Sequence, residues 1–140
     1  MTDNINILIV DDRQHIRAIT KIFLAPYNII TSEACNGLEA IDMLRKNVYD
    51  LVILDFKMPK MTGQEVLDLM HQDSRLEQIP VIVYTAGGFD NDIERWLKAS
   101  SVAFINKMNI GEELVPVLKQ LLGQKLAMKP PSKDPPHFVA

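Results

Sequence analysis

Several short apolar runs in this 140-residue chain end in side chains able to do chemistry. Asp11 and Asp12 follow ILIV, Asp55 follows LVIL, Thr85 follows VIVY, and Asn106 and Lys107 follow AFI. A carboxylate pair closing an apolar strand is also an ordinary start for a helix, so Asp11 and Asp12 alone decide nothing. The conjunction does, because acids, a hydroxyl and a lysine then gather at four strand ends around one point. Carboxylates held together raise one another's proton affinity unless a cation neutralises them. Oxygen-only ligands suit Mg2+, which keeps several waters and needs only a few carboxylates and a backbone carbonyl from the protein. Three Asp and one Lys sum formally to -2, which a divalent ion balances, and a phosphoryl group on one Asp adds roughly one further negative charge. An aspartate can also act as a nucleophile toward phosphorus, giving an acyl phosphate that hydrolyses readily.

The elements that must position these groups are visible as alternating patterns. Ile5 to Val10, Ile29 to Thr31, Leu51 to Leu54, Val81 to Tyr84 and Val102 to Ile105 read as strands, apolar enough to be buried on both faces of a parallel sheet. Between and after them, helical spacing appears in five stretches. These are Ile16/Ile19/Thr20/Phe23, Gly37/Ala40/Ile41/Leu44, Val66/Leu69/Met70, Ile93/Trp96/Leu97/Ser100 and Leu114/Val117/Leu118/Leu121. Thr62 with Glu65 predicts a capping box, and Glu112 and Glu113 suit the first turn of the last helix. Pro116 predicts a slight bend there or a later start. Strict βα alternation without a dinucleotide glycine fingerprint predicts a flavodoxin-like, doubly wound (βα)5 fold, a parallel five-stranded sheet of order 2-1-3-4-5 with helices on both faces. Residues 1–122 form this domain. Residues 123–140, with four of the eight prolines, read as a Pro-rich tail or linker remnant.

Composition narrows the function classes. With 47% apolar and 24% charged residues the chain is ordinary globular protein. The net charge is -3, and since residues 123–140 carry three Lys against Asp134, the remainder is more acidic still. That balance lacks the basic footprint of a nucleic-acid binder. A lone cysteine, Cys35, allows no intramolecular disulfide and reads as an inert small hydrophobe. No basic leader opens the chain, and no apolar run approaches the roughly 18–20 residues of a membrane span, so a cytoplasmic location is expected.

The segments ILIVDD, LVILDFKMPKMTG, VIVYTA and FINK resemble the receiver domain of two-component response regulators, over residues 5 to about 122. The resemblance implies that Asp55 is the phosphoacceptor and that Asp11, Asp12, Asp55 and the backbone carbonyl of Lys57 hold Mg2+. It implies that Thr85 binds the phosphoryl oxygens, that Lys107 pairs with them, and that Phe104 is a switch aromatic which turns inward as the threonine moves. Pro59 and Gly63 match the family's loop after the acceptor. No Walker motif or kinase glycine loop occurs, so the implied donor is a histidine kinase or a histidine phosphotransfer protein. The output passes to another protein or to a further phosphotransfer step.

Two departures stand out: Met108 follows Lys107 where the family usually has proline, and Ser100-Ser101 replaces the customary Gly-Ala. A non-proline cis bond costs about 2.5–4 kcal/mol, so the Lys107–Met108 bond is expected to be trans. A phosphatase of the haloacid dehalogenase type also uses an aspartate nucleophile after an apolar strand. It places a second Asp two residues on, where this chain has Lys57. A scaffold without chemistry would not need the full set of Asp11, Asp12, Asp55, Thr85 and Lys107.

Overall fold

The computed structural model describes residues 4–86, 91–99 and 103–130. Along it run β1 (Ile5–Val10), α1 (Gln14–Leu24), β2 (Ile29–Ala34), α2 (Gly37–Lys46) and β3 (Leu51–Asp55). Then come α3 (Gly63–His71), β4 (Val81–Thr85), α4 (Asn91–Ala99), β5 (Ala103–Asn106) and α5 (Ile110–Leu122). All strand pairings are parallel and the order is β2-β1-β3-β4-β5, as the alternation predicts. The strand order reverses between β1 and β3, so the carboxyl ends of those two strands open onto the crevice where such sheets bind ligands. No helix among the described residues is long and apolar enough to cross a membrane.

The twofold period of the strands divides the core into two layers. Leu8, Val10, Val52, Leu54, Val81 and Val83 point to one face, where α2, α3 and α4 cover them with Ile41, Leu44, Val66, Met70 and Leu97. Ile7, Ile9, Leu51, Ile53, Ile82 and Ile105 point to the other, beneath α1 and α5 with Leu24, Leu114 and Leu118. Each fully buried aliphatic side chain of this kind contributes about 1.5–3 kcal/mol. β3 is buried along its whole length, which makes it the rigid centre from which Asp55 projects.

The structure shifts some boundaries. β2 continues through Ser32 and Glu33 to Ala34, because an edge strand leaves one side open to water and tolerates polar residues. The α1 stripe is rotated: Ile19 is 39% exposed while Leu24 takes the buried place. In α5, Leu122 rather than Leu121 faces the core. α5 already begins at Ile110, so Pro116 lies well inside it, exposed on the solvent side. Cys35 lies just after β2 and is exposed, its thiol donating to Glu39 Oε2 at 3.1 Å. Val102, Ser100 and Ser101 fall outside the described residues, as does the side chain of Ile93.

Residues 123–130, assigned from sequence to a tail, do not hang free of the core. A 3-10 turn, Gly123–Lys125, leads into a strap that bridges antiparallel from Met128 to Tyr27. Asn28 ties it down: its Nδ2 donates to the Lys125 carbonyl at 2.9 Å and its Oδ1 accepts from the Ala127 N–H at 2.8 Å. The Asn28 N–H donates to the Ala127 carbonyl and the Lys129 N–H to that of Pro26, while Leu126 packs on the α1–α5 layer. The proline composition hid this, since the signal lies in a single asparagine about a hundred residues upstream. Asn28→Ala should release the strap and cost about 1–3 kcal/mol through groups left unpaired. Amide exchange at Ala127 and Lys129 should accelerate well ahead of β1 and β3. Unchanged protection at both amides would show that the asparagine does not hold the segment.

Candidate functional site

The alternation that sorts the core also aims the chemistry. Counting by two from Ile7 and Ile9 reaches Asp11, from Leu51 and Ile53 reaches Asp55, from Ile82 reaches Tyr84 and from Ile105 reaches Lys107. These residues therefore converge over the α1–α5 layer at one edge of the sheet. Asp11 and Asp55 are buried, at 0% and 3% exposure, whereas Asp12 lies exposed at the rim. Lys107 Nζ sits 2.8 Å from Asp11 Oδ2 and 3.1 Å from Asp55 Oδ2, its side chain only 7% exposed.

One ammonium thus faces two buried carboxylates. Burial first, and then the charge of Asp11, push the Asp55 carboxyl up from 3.8 to about 6, although Lys107 acts in the opposite direction. Asp55 is still mostly ionised at neutral pH, as a nucleophile must be. One carboxylate oxygen from each of Asp11, Asp12 and Asp55 lies within 4.8 Å of the others. Despite the nearby ammonium, Asp11 Oδ2 receives no well-directed hydrogen bond. Three converging oxygen donors, one of them under-satisfied, fit a hard divalent cation.

Local structure holds each group in place. The Arg13 N–H donates to Asp11 Oδ1 at 2.8 Å, folding the turn after β1. Arg17 pins the same turn from α1: its Nη1 donates to the Asp11 carbonyl at 2.7 Å while its Nε pairs with Glu33 at 3.0 Å. Below Asp55, the first residue of α3 comes so close that a Cβ on Gly63 would meet the Asp55 carbonyl oxygen at 2.5 Å. The Gly63 N–H donates to the Phe56 carbonyl, and Thr62 caps the helix by accepting from the Glu65 N–H at 3.2 Å. The Lys57 N–H makes only a long contact, 3.4 Å, with Asp55 Oδ1, and the Lys57 side chain is exposed.

The turn carrying Lys107 explains why no proline is needed after it. Asn106 Oδ1 accepts from the Met108 N–H at 2.9 Å, a bond that proline could not make, and Glu113 Oε2 accepts from the Asn106 N–H at 3.1 Å. No described peptide bond is cis. Thr85 is buried at the end of β4 and pairs in register with Asn106. Phe104 lies two strand positions back, opposite Val83, and is 37% exposed.

Of the residues singled out from sequence, Asp11, Asp12, Asp55 and Lys107 come together, Lys57 follows by its backbone N–H, and Thr85 and Phe104 lie on the neighbouring strands β4 and β5. Sequence reasoning missed Arg17, Asn106 as a cap, and Tyr84. Tyr84 could have been found by carrying the twofold count one step, two residues, past Ile82. The reach of Arg17 to Asp11 and Glu33 has no counterpart in spacing.

Comparison with known proteins follows the same outline. Residues 7–119 match the response regulator receiver domain family. The polar-differentiation response regulator DivK of Brucella anthropi is 30% identical over 84% of this chain and 96% of its own length. The response regulator Rre1 of a Synechocystis strain is also 30% identical, over 91% of this chain, which spans only 55% of that relative. Among solved structures, response regulator TrrA of Thermotoga maritima, in complex with Mg2+ and BeF, is 32% identical with a TM-score of 0.73. That match covers 84% of this chain and 99% of TrrA. A shared strand order could be fold alone, but a match through both the acid-bearing strand ends and the lysine turn is kinship, and the chain belongs to the response regulator receiver domain family.

Proposed function

We propose that this protein is a phosphorylation switch in which Asp55 takes a phosphoryl group from a phosphohistidine. The observation that carries the reading is the Lys107 ammonium shared between two buried carboxylates, with Asp55 at the open end of a wholly buried strand. A carboxylate oxygen of Asp55 attacks phosphorus in line, the P–N bond breaks, and its electron pair leaves with the donor imidazole, which takes a proton. Asp11, Asp12, Asp55 and the Lys57 carbonyl are the groups proposed to hold Mg2+, which when bound offsets the charge of the carboxylates and of the transferring phosphoryl oxygens. Lys107 is proposed to follow the new negative charge, and the Thr85 hydroxyl to donate to a phosphoryl oxygen. Movement of Thr85 and Phe104 then carries the change to the exposed end of β5 for a protein partner to read.

The reaction is confined to the protein's own phosphorylation and dephosphorylation. The donor is a histidine kinase or histidine phosphotransfer protein and the setting is the cytoplasm; residues 1–122 are the receiver core, against which residues 123–130 dock as a strap. An exposed lysine at position 57 suits this reading better than a phosphatase of the haloacid dehalogenase type, which needs a general acid there.

Treatment with acetyl phosphate and Mg2+ should add one phosphoryl group by intact mass, lost in Asp55→Asn and in the absence of the metal. An equal gain in Asp55→Asn would remove Asp55 from the role. The same variant carries an independent electrostatic signature. In the unfolded chain the carboxyl ionises near 3.8 and in the folded protein near 6, so the folded state binds the extra proton between those values. Stability therefore falls as pH rises through that window, and above it the full cost is present. Asp55→Asn should be more stable than wild type at pH 7.5, by about 3 kcal/mol, with the gain disappearing below about pH 4. Thermal melts at both pH values check this. A variant no more stable at pH 7.5 would mean that Asp55 is not held against its charge.

A further inference from the structure

Tyr84 is the largest fully buried side chain among the described residues, and nothing proposed so far uses it. On β4 it pairs in register with Asp55 on β3 and Ile105 on β5. Its ring lies under the shared ammonium, with Lys107 Nζ 4.8 Å from the ring centroid. Its hydroxyl faces the Asp11 carboxylate and the Thr20 hydroxyl. Two buried polar atoms here lack a well-directed hydrogen-bond partner, the Tyr84 hydroxyl and Asp11 Oδ2.

One of these is a donor and the other an acceptor, and both belong to groups that face each other. Thr20 is the weaker claimant on the phenolic proton. Its own hydroxyl donates to the Ile16 carbonyl at 2.8 Å, so it can meet Tyr84 only as a neutral acceptor, whereas Asp11 offers a charge-assisted bond. A phenol keeps its proton at neutral pH, so Tyr84 has a donor to offer that carboxylate.

We propose that Tyr84 is a positioning residue of the acid site: its hydroxyl donates to Asp11 Oδ2 and turns that carboxylate toward the cation, while its ring floors the Lys107 ammonium. This rests on the reading of Asp11 as one of the groups that hold Mg2+. Carboxylates that bind metals depend on such outer hydrogen bonds, and losing one typically costs about 10–100-fold in affinity. The ring contributes separately, since an ammonium over an aromatic face is attracted to it and Lys107 is thereby kept between the two acids.

The test is Mg2+ binding by the unphosphorylated full chain, titrated with the metal alone and followed by calorimetry. Tyr84→Phe keeps the ring and removes the donor, and should bind Mg2+ about tenfold more weakly. The Mg2+ concentration for half-maximal phosphorylation by acetyl phosphate should rise by the same factor, with the rate at saturating metal little changed. A merely structural tyrosine would not produce that split. Thr20→Val removes the competing acceptor and should bind Mg2+ as tightly as wild type or more tightly. Wild-type affinity in Tyr84→Phe, while Asp11→Asn binds poorly, would overturn the role of Tyr84 and leave the metal site standing. A loss in Thr20→Val as large as in Tyr84→Phe would also overturn it, by tracing the effect to packing at this junction. Wild-type affinity in Asp11→Asn would instead overturn the metal reading beneath both.

Discussion

A single ammonium between two buried carboxylates is a charge imbalance that the fold imposes and does not resolve. Lys107 reaches Asp11 and Asp55 at hydrogen-bonding distance, yet the sum around it is still negative, and Asp12 at the rim adds to the deficit. Removing charges from water is costly unless each is fully matched. The mismatch shows as the raised Asp55 carboxyl and the under-satisfied oxygen of Asp11. A site in this condition favours an added cation, and with the cation present it can accept an anionic phosphoryl group. The electrostatic strain and the proposed chemistry are then two aspects of one arrangement.

The rest of the structure keeps the imbalance from relaxing. β3 is buried on both faces, so Asp55 cannot swing out to water with its strand. The close approach of Gly63 to the Asp55 carbonyl, and the hydrogen bond from Gly63 to Phe56, leave the following loop little freedom. Arg17 fixes the Asp11 turn from α1, and the Asn106 and Glu113 hydrogen bonds set the turn that delivers Lys107 from the far side. Two strands and three helices thus each contribute one constraint. Substitutions far from Asp55 in sequence can loosen the site without touching it.

How much of this was legible beforehand depended on the range of the signal. Apolar runs of period two and stripes of period 3.6 are local, and they yielded the strand order and the gathering of Asp11, Asp55 and Lys107 at one edge. Helix faces were less well determined. Ile19 and Leu121 belong to apolar stripes broad enough to be rotated by one residue, and only the packed neighbour decides which member is buried. What stayed hidden was long-range and polar: Asn28 tying down residues 125–127, Arg17 on the Asp11 carbonyl, Tyr84 beneath Lys107. The proline composition of the last segment pointed away from its docking because composition carries no information about a distant partner. At Met108 the departure from the family's proline could be seen, but not that Asn106 would use the N–H this leaves available.

The central claim is that Asp55 is ionised at a cost which a divalent cation removes, and carbon-detected NMR titration of the Asp55 carboxyl, with and without Mg2+, tests it directly. Without the metal the carboxyl should titrate near pH 6, and with saturating Mg2+ the midpoint should fall clearly below that value. A midpoint in the ordinary carboxylate range, near 4 and indifferent to Mg2+, would contradict the account.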